Sequence, residues 1–220
     1  ENGRDMVAAS NLLGVDVMTG HWEFTYGEEV FLNNLKYFNG DFVAQNISLT
    51  EEAIFDGLEP KDEDNHFQQP YVIKVINGAR VAIIGQAFPY TPIANPKRLI
   101  PNLTFGIRDA ELQGLIDNIK KNEKPSVIIL LSHNGVDVDK KMASKVSGLD
   151  IIFGGHTHDV LPEPIIVKNN HNSTLVINSG CNGKFVSVLD LDIQRTSFNY
   201  RYKLLPVLSN QINPSVEMDN

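Results

Sequence analysis

One cysteine in 220 residues leaves the chain without an internal disulfide framework, and a lone thiol says little about redox compartment. Cys181 has no histidine near it in sequence to activate it, so it reads as packed or incidental rather than as a nucleophile. Basic residues are also scarce: 19 Lys and Arg stand against 27 Asp and Glu, a net charge of −8. That balance argues against a nucleic-acid partner, which needs clustered positive charge on its phosphates. An acidic chain can still hold an anionic substrate where bound cations supply the positive field locally. No apolar run approaches the roughly 20 residues that span a bilayer, so no membrane partner is expected. Internal repeats and low-complexity tracts are missing too. What is there, 42% hydrophobic and 21% charged residues, is the composition of one large globular domain or most of one.

The histidines are few and oddly placed. Leu149-Asp150-Ile151-Ile152-Phe153 reads as a buried strand and runs into Gly154-Gly155-His156-Thr157-His158-Asp159. In an extended segment, side chains two apart point to the same side, which predicts His156 and His158 on one face. The glycines allow a sharp turn and leave room beside the backbone. Ser126–Leu131 likewise runs into Ser132-His133-Asn134-Gly135, and Val15–Met18 into Thr19-Gly20-His21-Trp22-Glu23. Three strand ends thus deliver four of the six histidines, at the junctions where open α/β sheets place ligands. Imidazoles gathered in this way suit borderline divalent metals such as zinc and manganese. The other two, His66 and His171, lie in polar loop-like stretches and are assigned to solvent.

Periodicity gives the rest. A helix is expected over Asp5–Leu13, closed by Gly14, and others over 28–38, 108–121 and 137–146, the third with Leu112, Leu115, Ile116 and Ile119 inward. Asp137 and Asp139 read as helix-start residues. Strands are expected at 42–47, ending near Asn46, and at 165–168 and 175–178. Tyr71–Ile76, Asn77-Gly78 and Arg80–Gln86 give the strongest hairpin signal, two β-branched runs joined by Asn-Gly. Residues 50–69 read as an acidic exposed excursion and 89–103, with four prolines, as loop. The tail, 185–193 and 197–207, reads as two long alternating strands. Mixed strands and helices with a hairpin-rich tail fit an α/β/β/α sandwich.

The motifs also carry a resemblance. Gly155-His156-Thr157-His158-Asp159, Ser132-His133-Asn134-Gly135 and Gly20-His21-Trp22-Glu23-Phe24 resemble the last three blocks of the calcineurin-like dinuclear metallophosphoesterases, in the 5'-nucleotidase branch. That branch usually reads Gly-Asn-His-Glu where this chain reads Gly20-His21-Trp22-Glu23. The variant block, continued through Thr25-Tyr26-Gly27, is similar to the SoxB-type thiosulfohydrolases of bacterial sulfur oxidation. The resemblance implies a four-layer α/β/β/α metallophosphoesterase sandwich. It implies two divalent metal ions, manganese or alternatively zinc, with His21, His133 and His156 on the second and His158 on the first. It implies catalytic-site roles for Trp22 and Asp159, the latter beside Glu23 as an acceptor that orients a ligand histidine. Asn46, at its strand end, is a further site candidate with a structural alternative. The remaining first-site ligands, an Asp-x-His pair and a bridging Asp, are expected upstream of Glu1.

Three functions follow as expectations. The first is a periplasmic hydrolase releasing sulfate from a cysteine-S-thiosulfonate on a SoxYZ-like sulfur carrier protein. The second is a nucleotide or sugar-phosphate phosphoesterase, which Asn at 21 and His at 22 would have favoured. The third is an inactive metal-binding domain. Indole cannot ionise, so Trp22 removes the proton donor an alkoxide leaving group needs, whereas a sulfur leaving group tolerates the loss. The expected organisation is a catalytic domain over 1–210, lacking its N-terminal part, and a linker beginning at 211–220, where Ser215 caps a helix start. The piece alone is expected to be inactive.

Overall fold

The computed structural model describes residues 1–194 and 197–218. It divides into two compact units, one of Glu1–Tyr71, Gly85–Ile107 and the segment from Asn213, the other of Val72–Ile84 and Arg108–Ile212.

The second unit is built on a six-stranded sheet in the order Tyr71–Ile76, Ala79–Gln86, Val127–Ser132, Ile151–Gly154, Ser173–Asn178, Ile165–Lys168. The expected hairpin joins the first two strands. Asn77 and Gly78 both adopt positive φ, 50° and 83°, as a two-residue turn matched to strand twist requires. Val127–Ser132, Ile151–Gly154 and Ser173–Asn178 run parallel, and their ends align, Ser132 and Asn178 each facing Gly154. Alternation then sorts their side chains. Val127, Ile151, Leu175 and Ile177 pack against Leu189, Leu191, Ile193, Phe198 and Tyr202. These come from the tail strands Phe185–Ile193 and Phe198–Pro206, an antiparallel pair as expected. The helix Val136–Lys145 packs against Ile151–Gly154, Ile165–Lys168 and Ser173–Asn178. The helix Asp109–Asn122 buries Leu112, Ile116 and Ile119. It carries acids in its first turn and lysines in its last, the signs its dipole favours.

The first unit holds the helices Arg4–Leu12 and Glu28–Leu35 and two short strand pairs. Val17–Met18 runs parallel to Asp41–Phe42, and Ile47–Leu49 antiparallel to Leu103–Phe105. Its core is aromatic: Phe24 meets Phe31 and Phe105 at centroid distances of 4.6 and 5.2 Å, and Phe42 meets Phe31 at 4.9 Å.

Four expectations are corrected in this unit. The strand expected over 42–47 is two pieces, broken between Phe42 and Ile47 where Gln45 bonds to the Gly85 carbonyl. The excursion at 50–69 is not wholly exposed: Thr50 caps a short helix, Glu51–Phe55, and Phe67 is buried in the core. His66 is not in solvent but 6% exposed, its Nδ1 2.7 and 2.8 Å from the two carboxylate oxygens of Asp62. The proline-rich stretch 89–103 contains the short helix Thr91–Ala94. Of the helix start expected near 214–220, the described part is a turn, with the Met218 N–H donating to the Ser215 carbonyl at 3.1 Å. Asp219 and Asn220 lie outside the described residues.

Candidate metal centre

In the second unit the loops after two parallel strands interlock, and their glycines show how. A Cβ on Gly155 would lie 3.3 Å from His133 Nδ1, so the missing side chain is space the imidazole occupies. A Cβ on Gly154 would sit 2.4 Å from Asp139 Oδ2, and one on Gly135 2.6 Å from the Thr157 methyl group. Gly135 also has φ of 96°. The Thr157 hydroxyl completes the junction, accepting from the Val136 N–H at 3.2 Å and donating to the Asp159 carboxylate. The result sets the His133 and His156 rings edge to face, 5.4 Å between centroids.

His156 and His158 do not sit on one extended face. The strand ends at Gly154, and the two residues take φ of 85° and 60°, the left-handed region that non-glycine residues rarely adopt. His156 is half-buried while His158 is exposed. Burial, with His158 adding to it, holds His156 below the usual imidazole range. It is therefore neutral at physiological pH, the form a metal binds.

In the first unit His21 precedes the 3₁₀ turn Trp22–Tyr26. Its ring lies 4.8 Å from those of both Trp22 and Phe88. Glu23 was expected to orient a ligand ring; its carboxylate instead accepts the His21 backbone N–H. Trp22 is 53% exposed, so it is not a packed core residue. With Met6, Met18, Phe31 and Phe38 it lines an apolar cavity of about 330 Å³. Asn46 is fully buried. Both its amide protons go to the carbonyls of Ala87 and Gly106, each at 2.8 Å, and Oδ1 accepts from the Ala87 N–H. Asp159 bonds Thr157 rather than a histidine.

Within the second unit His133 and His156 come together as a pair of potential metal ligands, and His21 stands at its own loop in the first unit. A literal Asp-x-His triplet, Asp64-Asn65-His66, has its histidine tied to Asp62. Asp139 is more than a helix-start residue. It does lie in the first turn of its helix, but it is buried there, bonded by Ser132 Oγ at 2.5 Å and Asn134 Nδ2 at 3.4 Å. Burial, opposed by those two bonds, raises its pKa to about 6. The available signal was its phase: it shares the buried stripe of the helix with Met142 and Ala143.

The fold is a mixed α/β fold that matches the calcineurin-like phosphoesterase and 5'-nucleotidase domains of solved structures. No family model matches the chain. Sequence relatives include the trifunctional nucleotide phosphoesterase YfkN of Bacillus subtilis, 29% identical over 86% of this chain and 14% of that protein. The 5'-nucleotidase of Rattus norvegicus is 32% identical over 72% of this chain and 26% of its own length. Among solved structures, the sulfate thiohydrolase SoxB of Thermus thermophilus, in complex with glycerol, aligns with a TM-score of 0.85 and 29% identity. It covers 99% of this chain and 37% of that one. The chain thus spans about a quarter or less of those two sequence relatives, and its homologues are proteins of the 5'-nucleotidase group.

Proposed function

We propose that the chain forms part of a dinuclear metal-dependent thiosulfohydrolase that releases sulfate from a cysteine-S-thiosulfonate on a carrier protein. The observation that carries this reading is the half-exposed Trp22 with its ring tilted against His21, where the phosphoesterase resemblance has a histidine beside an asparagine. In this reading the resemblance puts His21, His133 and His156 on one divalent ion, manganese or alternatively zinc, and His158 on a second. The neutral, half-buried His156 suits such an ion. When bound, the paired ions supply a water acidic enough to be hydroxide near neutral pH and charge that clamps the substrate's oxygens.

The chain's own residues do the rest. His133 and His156 are fixed before any ligand arrives by the glycine contacts and the Thr157 junction. Trp22 offers an apolar wall and one N–H donor, and no ionisable proton. In the reaction the sulfonate sulfur gains an oxygen from water and its S–S bond breaks. The electron pair leaves with the carrier's persulfide sulfur, and the protons of water pass to solvent. A persulfide is a far better leaving group than an alkoxide, so the missing acid at position 22 costs little. The reading implies a periplasmic setting and a SoxYZ-like carrier whose flexible arm brings the substrate.

A second reading, a nucleotide phosphoesterase of the same scaffold, is favoured by the names of the sequence relatives. The native protein separates the two when given a peptide cysteine-S-thiosulfonate and a nucleoside monophosphate side by side, with divalent manganese. Sulfate release from the first at a rate well above phosphate release from the second is the expected result. Phosphate release alone establishes the phosphoesterase.

A further inference from the structure

Ser132 and Asn134 flank His133, and both side chains donate to the same oxygen, Asp139 Oδ1, at 2.5 and 3.4 Å. The Asn134 backbone N–H also donates to Ser132 Oγ at 3.3 Å, closing a small ring of bonds around the histidine's base. The other oxygen, Asp139 Oδ2, bears on Gly154 so closely that a methyl group there would overlap it. Gly154 is the last residue of the strand that leads into His156. A third tie, the Asp139 N–H to the Gly135 carbonyl at 3.0 Å, anchors the carboxylate's own helix to the His133 loop. One fully buried side chain therefore touches both loops. Nothing in helix formation requires an acid at this place: a carboxylate buried without a counter-ion is costly, and an apolar residue would fill the same space.

We propose that Asp139 is a positioning residue that sets the spacing of the His133 and His156 rings. The consequence for metal binding rests on the metal-centre reading above; the geometric claim lies wholly within the second unit and needs no metal. Groups that orient ligand histidines typically account for 10- to 100-fold of metal affinity. Asp139 differs from the usual case in acting on the backbone and neighbours of its histidines rather than on a ring nitrogen.

The test compares the wild-type chain with Asp139→Asn, with the milder Ser132→Ala, and with Met142→Ala, which empties space on the same buried stripe. Histidine side-chain NMR on the metal-free chain reads the geometry. In Asp139→Asn the ring signals of His133 and His156 should move while those of His66 and His171 stay, and Ser132→Ala should move His133 in the same sense but less. Met142→Ala should leave all four in place. Unchanged His133 and His156 signals in Asp139→Asn overturn the proposal; should that variant fail to fold, Ser132→Ala decides by the same criterion. A titration with divalent cobalt, followed by visible absorbance, then reads the consequence. Asp139→Asn should bind about 10- to 100-fold more weakly, with Met142→Ala near wild type. Equal loss in both variants, or loss in neither, also overturns it. A wild-type chain that takes up no cobalt contradicts the metal-centre reading instead, and the ring signals still decide the positioning claim.

Discussion

Asp139 is the residue at which stability and site geometry pull in opposite directions. Its carboxyl is held at a pKa of about 6 against an ordinary 3.8, chiefly by burial. A carboxyl raised in this way contributes its full stability only below the ordinary value and loses it as pH climbs through the raised one. The shift corresponds to at most about 3 kcal/mol lost between roughly pH 4 and pH 6. Metal-free Asp139→Asn should therefore be more stable than wild type at pH 7, with the advantage gone by pH 4. Urea denaturation at intervals across that range checks it, and a pH-independent difference contradicts it. Gly135 presents the opposite case, a residue whose replacement only harms. Its φ of 96° and the Thr157 methyl 2.6 Å from a would-be Cβ make Gly135→Ala cost about 1–3 kcal/mol by denaturant titration. Adding Thr157→Ser removes the methyl but not the backbone strain, so it should recover only part of the loss.

At the scale of elements, the tightest local instructions are the turns and caps. Gly78 has φ of 83° in the Asn77-Gly78 turn, so Gly78→Ala should destabilise by about 1 kcal/mol. Thr50 Oγ1 accepts the Ala53 N–H at 3.1 Å, and Thr50→Ala should cost about the same. Thermal melts of the two variants, alone and combined, check both values and their additivity. The hairpin turn was the feature most legible in the sequence, because Asn-Gly between two β-branched runs has few other conformations open to it, whereas the Thr50 cap was hidden in an acidic stretch that reads as exposed. The amphipathic helix at Asp109–Asn122 and the alternating tail strands were legible for the same reason, a long unbroken period. The stretch after Phe42 was not. Its residues are apolar enough for a strand, but Gln45 and Asn46 spend their hydrogen bonds on Gly85, Ala87 and Gly106, partners far away in the chain. His66 was misplaced for a related reason: an acidic, polar segment says nothing of the Asp62 carboxylate that lets its histidine be buried. The pairing of His133 with His156 was readable from the strand ends. Its mechanism, glycines opened for a ring and a carboxylate, depends on contacts between loops that no local pattern carries.

For the whole molecule, the proposed reading puts His21, His133 and His156 on one metal ion and His158 on another. The 220-residue chain expressed alone should therefore take up about one equivalent of divalent metal and turn over neither thiosulfonate nor nucleotide. Elemental analysis of the purified chain, beside both assays, checks this; two firmly held equivalents contradict it. In the proposed reading, positions 21 and 22 choose sulfur over phosphate chemistry. Acid assistance to a leaving group is typically worth 10²–10⁴-fold, and Trp22 cannot give it. The most direct measurement is the double exchange His21→Asn with Trp22→His in the native protein, assayed for sulfate release from a carrier cysteine-S-thiosulfonate and for hydrolysis of a nucleoside monophosphate. Nucleotide hydrolysis should rise by about two to four orders of magnitude while sulfate release falls. A native protein that already hydrolyses the nucleotide as fast as the double variant would contradict it and leave the phosphoesterase in its place.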